Sequence, residues 1–250
     1  MTQTQHAGNS QLLARLGGGL VVSCQAREDN PLHGPRFMAA LAEAAVRGGA
    51  VGIRADGAAD VAAIRATVDV PIIGINKTKL PDGSLFITPT AASARAVIAA
   101  GAALVALDGT ARPRPGGESL AEVIRAIHAD GALALADVAT DADARHAVEC
   151  GADLVGTTLS GYTPDSPRQE DPDFDLLRRL VASCPVPVFA EGRIWTREQA
   201  AAALALGAAF VVVGTAITNP MAITARFAAA IAAAGERSSR TGEPLNLRKG

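Results

Sequence analysis

Five of the six Gly-Ala pairs in this chain punctuate it, and they restrict its fold more than any other feature. Gly49-Ala50, Gly101-Ala102, Gly131-Ala132, Gly151-Ala152 and Gly207-Ala208 each close an alanine-rich helical pattern and open a short apolar run. Glycine is the expected helix stop there, because it accepts the left-handed backbone that turns the chain out of the helix. Apolar runs without alternation belong to strands covered on both faces, as in a parallel sheet flanked by helices. Eight strands are read at 20–24, 51–54, 72–75, 104–107, 133–136, 154–157, 186–190 and 210–213. Helices are read between and after them at 36–47, 59–68, 91–100, 120–129, 142–149, 174–182, 197–206 and 221–234. Thr140 ahead of Asp143, and Thr196 with Gln199 three residues on, supply helix caps.

Strand and helix alternate, so the class is α/β. An open doubly wound sheet shares that order. Eight units within 250 residues favour a closed (β/α)8 barrel, the TIM barrel, in a single domain. Ser23-Cys24-Gln25-Ala26 also stands where an open nucleotide-binding sheet would carry G-x-G-x-x-G. The barrel is expected over 19–234. Residues 1–18 form a tail with a short helix near 10–16 closing the barrel bottom, and 235–250 form a polar tail.

A net charge of −2 gives no nucleic-acid footprint, although a small anion needs only local donors. Cys24, Cys150 and Cys184 lack CxxC spacing, and an odd count fits a reducing cytoplasm. Residues 1–10 carry no apolar secretion signal, and no charge-free apolar run reaches membrane-spanning length. A cytoplasmic protein without membrane or nucleic-acid partners is expected, with a homodimer among the assemblies it allows.

Barrel chemistry sits at the C-terminal ends of the strands. There the chain offers Gln25, Arg54, Lys77, Asp108, Asp137, Thr157 and Glu191. Strand ends turn polar simply by reaching solvent, but a lysine, an arginine, two aspartates and a glutamate at one mouth exceed that. None of His6, His33, His128 and His146 ends a strand, so no two-histidine metal site is expected. No serine or cysteine pairs with a histidine as a nucleophile. A lysine amine with carboxylates and an arginine suits proton abstraction beside a carbonyl. The same amine could form a Schiff base, as in a lysine-dependent sugar-phosphate aldolase, or could simply pair with Asp108 or Glu191. Burial and Arg54 would lower the amine from about 10.4, and Glu191 or Asp137 would oppose that. Lys79 reads as solvated, in a polar loop over 78–84. Glu191-Gly192-Arg193 and Gly214-Thr215 are glycine-bearing turns after the last two strands. Two ordinary loops would show the same glycines. Read with the repeat, the N–H groups of Gly192, Arg193, Gly214 and Thr215 form a phosphate cradle.

Eight motifs occur in order. They are Ser23-Cys24-Gln25-Ala26, Ile53-Arg54-Ala55, Pro71-Ile72-Ile73-Gly74-Ile75-Asn76-Lys77, Phe86-Ile87-Thr88-Pro89-Thr90, Ala106-Leu107-Asp108, Ala136-Asp137-Val138, Thr157-Thr158-Leu159-Ser160-Gly161-Tyr162-Thr163 and Glu191-Gly192-Arg193-Ile194. From about Gly19 to Phe227 the chain resembles the N-acetylmannosamine-6-phosphate 2-epimerases, also called N-acylglucosamine-6-phosphate 2-epimerases. The resemblance implies a (β/α)8 barrel that uses no metal, nucleotide or other cofactor. It implies an isomerase that interconverts N-acetylmannosamine 6-phosphate and N-acetylglucosamine 6-phosphate in sialic acid catabolism. It further implies that Lys77 moves the C2 proton and that Glu191 is its acidic partner. Asp137 and Arg54 would orient the sugar and support the intermediate, and Gln25 would contact hydroxyls or the acetamido group. One position departs. The family usually reads Ala-Ile-Thr-Arg-Pro after the last strand, with that arginine helping to hold phosphate, whereas this chain reads Ala216-Ile217-Thr218-Asn219-Pro220. Arg112 and Arg114 are another source of positive charge. A non-catalytic sugar-phosphate-binding barrel is a further reading, against which the retained lysine, glutamate and aspartate argue.

Overall fold

The computed structural model describes residues 3–80 and 83–241. In chain order the elements are α1 (Gln3–Leu16), β1 (Leu20–Cys24), α2 (Pro35–Arg47), β2 (Gly52–Asp56), α3 (Ala58–Arg65), β3 (Ile72–Ile75), β4 (Lys77–Lys79), β5 (Leu85–Ile87), α4 (Ala91–Ala99) and β6 (Leu104–Asp108). There follow α5 (Leu120–Ala129), β7 (Leu133–Asp137), α6 (Asp141–Glu149), β8 (Leu154–Gly156), a 3-10 turn (Thr157–Leu159), α7 (Phe174–Ser183), β9 (Val188–Glu191), α8 (Arg197–Ala205), β10 (Val211–Val213), α9 (Thr215–Thr218) and α10 (Pro220–Thr241). Eight parallel strands close the barrel in the order β1-β2-β3-β6-β7-β8-β9-β10, and β10 pairs back with β1. This is the expected (β/α)8 barrel. The five punctuating glycines have φ between 81° and 108°, the left-handed region that favours glycine.

Side-chain alternation along each strand builds two cores. Val21, Ile73, Leu104, Leu133, Leu154 and Phe210 meet inside the barrel. Their neighbours Val22, Ile72, Val105, Ala134, Val155 and Val211 face the helices. Leu16 at the end of α1 joins the inner cluster, with Leu12 and Leu13 packed against it. The rings of Phe189 and Phe210 stack 5.1 Å apart within this interior. Gly156 makes room for them, because a Cβ there would run into the Phe189 ring. The same alternation aims the site residues. Ile53 and Ala55 face the helices, so Arg54 faces in; Leu135 faces in, and so does Asp137; Phe189 faces in, and so does Glu191.

Helices start on the caps read from the sequence. Thr140 accepts from the Asp143 N–H, and Thr196 forms a reciprocal box with Gln199. Five features differ from expectation. The stretch read as the polar loop 78–84 enters and leaves through an antiparallel ribbon, β4 paired with β5. Thr88 joins that ribbon to the barrel. It is fully buried with φ 45°, donates from Oγ1 to the Ala106 carbonyl at 2.7 Å and accepts from the Asn76 N–H at 3.0 Å. The 3-10 turn after β8 and the short α9 were likewise not expected. α1 begins at Gln3 rather than near residue 10, and α10 continues past 234 to Thr241. Residues 242–250 of the expected tail lie outside the described residues. No described helix is long and apolar enough to cross a membrane.

Candidate active site

Arg54 lies at the centre of the mouth and is 1% exposed. Its Nη2 donates to Asp137 Oδ2 at 2.6 Å and its Nη1 to Asp137 Oδ1 at 3.1 Å, the two-pronged geometry that suits guanidinium and carboxylate. Nη1 also donates to Glu191 Oε2. Thr158 Oγ1 donates to Asp137 Oδ1 at 2.5 Å and reaches Glu191 Oε2 at 3.4 Å. Two carboxylates therefore share one guanidinium. Burial alone would lower the basicity of Arg54, but Asp137 and Glu191 outweigh it and the group stays cationic. Glu191 has the weaker share of that cation. Burial pushes its carboxyl up, against Arg54 and with help from Asp137, to about 7.

Lys77 stands at the start of the β4–β5 ribbon. Its backbone N–H donates to Asp56 Oδ1 at 2.9 Å, and its Nζ donates to Gln25 Oε1. Gln25 in turn donates to Ser23 Oγ at 2.6 Å, so the amide oxygen is held toward the amine. Burial lowers the pKa of the amine; Asp56 and Glu191 oppose that, while Arg54 and Arg27 add to it. Lys77 remains an exposed residue at the open mouth, so water moderates the effect. An amine pulled down and a carboxyl pushed up thus face the same opening, the arrangement expected of an acid–base pair.

The glycine turns lie beside this group. Gly192 has φ 110° and Arg193 φ 57°, while Gly214 precedes α9. No acceptor among the described residues takes the N–H of Gly192, Arg193, Gly214 or Thr215. The charged side chains nearby are engaged elsewhere. Arg193 donates from Nε to the Asp171 carbonyl at 2.8 Å and from Nη1 to the Ser160 carbonyl, and its guanidinium lies 5.3 Å over the Tyr162 ring. Asn219 Oδ1 accepts from the Ala222 N–H at 3.1 Å and caps α10. Arg112 pairs with Asp108 and lies 4.4 Å over the Phe86 ring, and Arg114 donates to the Asp108 carbonyl. These two arginines fasten the loop after β6 to the ribbon, so they bring no charge to the glycine turns. Asp108 belongs to that fastening, since it also accepts from Thr110 N at 2.9 Å and Thr110 Oγ1 at 2.6 Å. It pairs with neither Lys77 nor the Arg54 group.

The family described as "Putative N-acetylmannosamine-6-phosphate epimerase" matches residues 38–233. The chain belongs to this epimerase family. Relatives with the corresponding 2-epimerase description include one from Caldanaerobacter subterraneus subsp. tengcongensis, 47% identical over 218 residues, which are 86% of this chain and 92% of the relative. Another, from Cutibacterium acnes, is 48% identical over 220 residues, 87% of this chain and 95% of the relative. A solved structure of the N-acetylmannosamine-6-phosphate 2-epimerase from Clostridium perfringens matches with TM-score 0.84 at 45% identity, over 87% of this chain and 95% of that chain. A thiamine phosphate pyrophosphorylase from Pyrococcus furiosus, at 20% identity and TM-score 0.57, shares the fold alone.

In this epimerase-family barrel the expected site residues fall into three groups. Arg54, Asp137 and Glu191 form one bonded cluster and Lys77 and Gln25 a second, while Gly192 and Arg193 follow β9 and Gly214 and Thr215 follow β10. Arg54 and Asp137 lie beneath the mouth rather than on it, both nearly or fully buried. Thr157 holds the backbone of Glu191 rather than lining the opening; its Oγ1 donates to the Glu191 carbonyl at 2.9 Å and accepts from the Glu191 N–H at 3.2 Å. Neither Asp56 nor Thr158 stands out in the sequence. Asp56 lies two residues beyond Arg54 and so shares its face, a signal hidden by ending the strand at 54. Among the described residues no group of three or more His, Cys, Asp or Glu side chains is placed to hold a metal ion.

Proposed function

We propose that this chain interconverts N-acetylmannosamine 6-phosphate and N-acetylglucosamine 6-phosphate by removing and returning the proton at C2. The observation that carries the reading is the pairing of a lowered Lys77 amine with a raised Glu191 carboxyl above the buried Arg54–Asp137 pair, in a barrel of this family. In the open-chain sugar the C1 aldehyde acidifies the C2 proton. Lys77, in its neutral form, takes that proton as general base. Negative charge then collects on the enolate oxygen. Protonated Glu191 donates a hydrogen bond to that oxygen, and Arg54 stabilises the charge from beneath through the low-dielectric floor. Rotation about C2–C3 presents the other face of the planar enolate to the Lys77 ammonium, which returns the proton there and inverts C2. Gln25 holds the Lys77 amine and meets the sugar hydroxyls or acetamido group. The N–H groups of the Gly192 and Gly214 turns receive the phosphate.

The same reading places the protein in the cytoplasm, as a homodimer. Phe227 and Ile231 on α10 are 68% and 72% exposed, an apolar row that a second copy would cover. The activity is tested by incubating the protein with N-acetylmannosamine 6-phosphate and following the anomeric proton signals by NMR. Growth of N-acetylglucosamine 6-phosphate to an equilibrium mixture is expected. A folded protein that leaves the substrate unchanged, or one that is trapped on Lys77 by borohydride, would overturn the reading.

A further inference from the structure

We infer that Thr158 is a positioning residue for this reaction, holding Glu191 and Asp137 in the arrangement from which Glu191 acts. The inference rests on the reading of this mouth as the epimerase site. Thr157 and Thr158 open the 3-10 turn that follows β8, and they divide the work. Thr157 satisfies the backbone of Glu191 at both its N–H and its carbonyl. Thr158 satisfies no backbone group. Its hydroxyl donates to Asp137 Oδ1 at 2.5 Å and lies 3.4 Å from Glu191 Oε2. One O–H thus stands between two carboxylates, at the same two oxygens, Asp137 Oδ1 and Glu191 Oε2, that Arg54 Nη1 serves.

The turn fixes where that hydroxyl points. Leu159 N–H donates to the Val138 carbonyl at 3.2 Å, and Ser160 N–H donates to the Thr157 carbonyl at 3.1 Å. A β-branched side chain is also stiff about its first torsion, which suits a donor that must stay aimed. The charged groups facing Glu191 are Arg54 from β2, Asp137 from β7 and Lys77 from β4. Thr158 is the neutral donor among them. Hydrogen bonding to an ionised carboxylate favours the ionised form, so removing this donor makes Glu191 hold its proton to higher pH.

Thr158→Val keeps the shape and removes the donor, whereas Thr158→Ser keeps the donor. Thr158→Val is expected to lower kcat about tenfold, the scale of one hydrogen bond to a charged group. KM should stay within about twofold, the pattern of a group felt in the transition state. The alkaline limb of the kcat/KM profile, where the Glu191 proton is lost, should move to higher pH, and Thr158→Ser should restore both. A readout independent of turnover is the carboxyl carbon titration of Glu191, its signal identified by loss in Glu191→Gln. That titration should move to higher pH in Thr158→Val. A folded Thr158→Val protein with an unmoved carboxyl titration and an unmoved alkaline limb overturns the inference. A wild type that does not epimerise, with the titration still moved by Thr158→Val, sinks the epimerase reading and leaves the hold of Thr158 on Glu191 intact.

Discussion

Glu191 is the residue at which stability and function pull apart. Its carboxyl titrates at about 7 against an ordinary 4.5 because burial and Asp137 penalise its charge more than Arg54 rewards it. The sign of the stability effect follows from proton binding. Between 4.5 and about 7 the folded chain holds a proton that the unfolded chain has released, so wild-type stability falls as pH rises through that window. Glu191→Gln removes the titration. The melting temperature of the variant minus that of the wild type should therefore be larger at pH 8 than at pH 5, as read by calorimetry at both. A difference that does not change with pH would contradict the account of Glu191. The same variant should lose kcat by about a hundredfold or more with little change in KM, as expected when a proton donor or acceptor is removed from the transition state. A change confined to KM would make Glu191 a binding residue instead.

At the scale of elements, two contacts decide how well the mouth is held. Gly156 lets β8 pass the Phe189 ring two residues before Glu191 on β9. Gly156→Ala forces that ring to move and is expected to cost about 1–3 kcal/mol, the usual range for overpacking a close-packed core. Denaturant unfolding checks it, and an unshifted midpoint would mean the strands can part without effect. Asn219 caps α10 through its Oδ1 and also ends α9, beside the glycine turns. Asn219→Arg should remove that cap at about 1 kcal/mol and lower the melting temperature by about 2–4 °C. It should also lower KM for the phosphorylated sugar by roughly tenfold, since a guanidinium grips phosphate with charge-assisted bonds. That gain should shrink with added salt and be absent with unphosphorylated N-acetylmannosamine. A KM that does not respond would place the phosphate away from this turn.

Across the whole molecule, period-level signals in the sequence carried the architecture. Buried parallel strands repeat eight times and glycine stops five, and alternation within a strand then dictates that Arg54, Asp137 and Glu191 face one another. The ribbon at Lys77 was not legible, because its two strands have three residues each and their exposed lysines imitate a loop. Thr158 was hidden for another reason: a hydroxyl after a strand is common, and only the distance to two carboxylates distinguishes it. The fates of Asp108, Arg112 and Arg114 were equally invisible, since they turn on which neighbour a charged side chain meets across the barrel rim. The reaction proposed for the whole barrel is the exchange of one carbon-bound proton by one lysine. The most direct measurement is incubation of wild type and Lys77→Ala with N-acetylmannosamine 6-phosphate in heavy water, followed by NMR at C2. Wild type should form N-acetylglucosamine 6-phosphate with deuterium at C2, and folded Lys77→Ala should show neither epimerisation nor exchange, a loss of about a hundred- to ten-thousand-fold or more. Exchange at C2 in the Lys77→Ala protein at a near wild-type rate would contradict it.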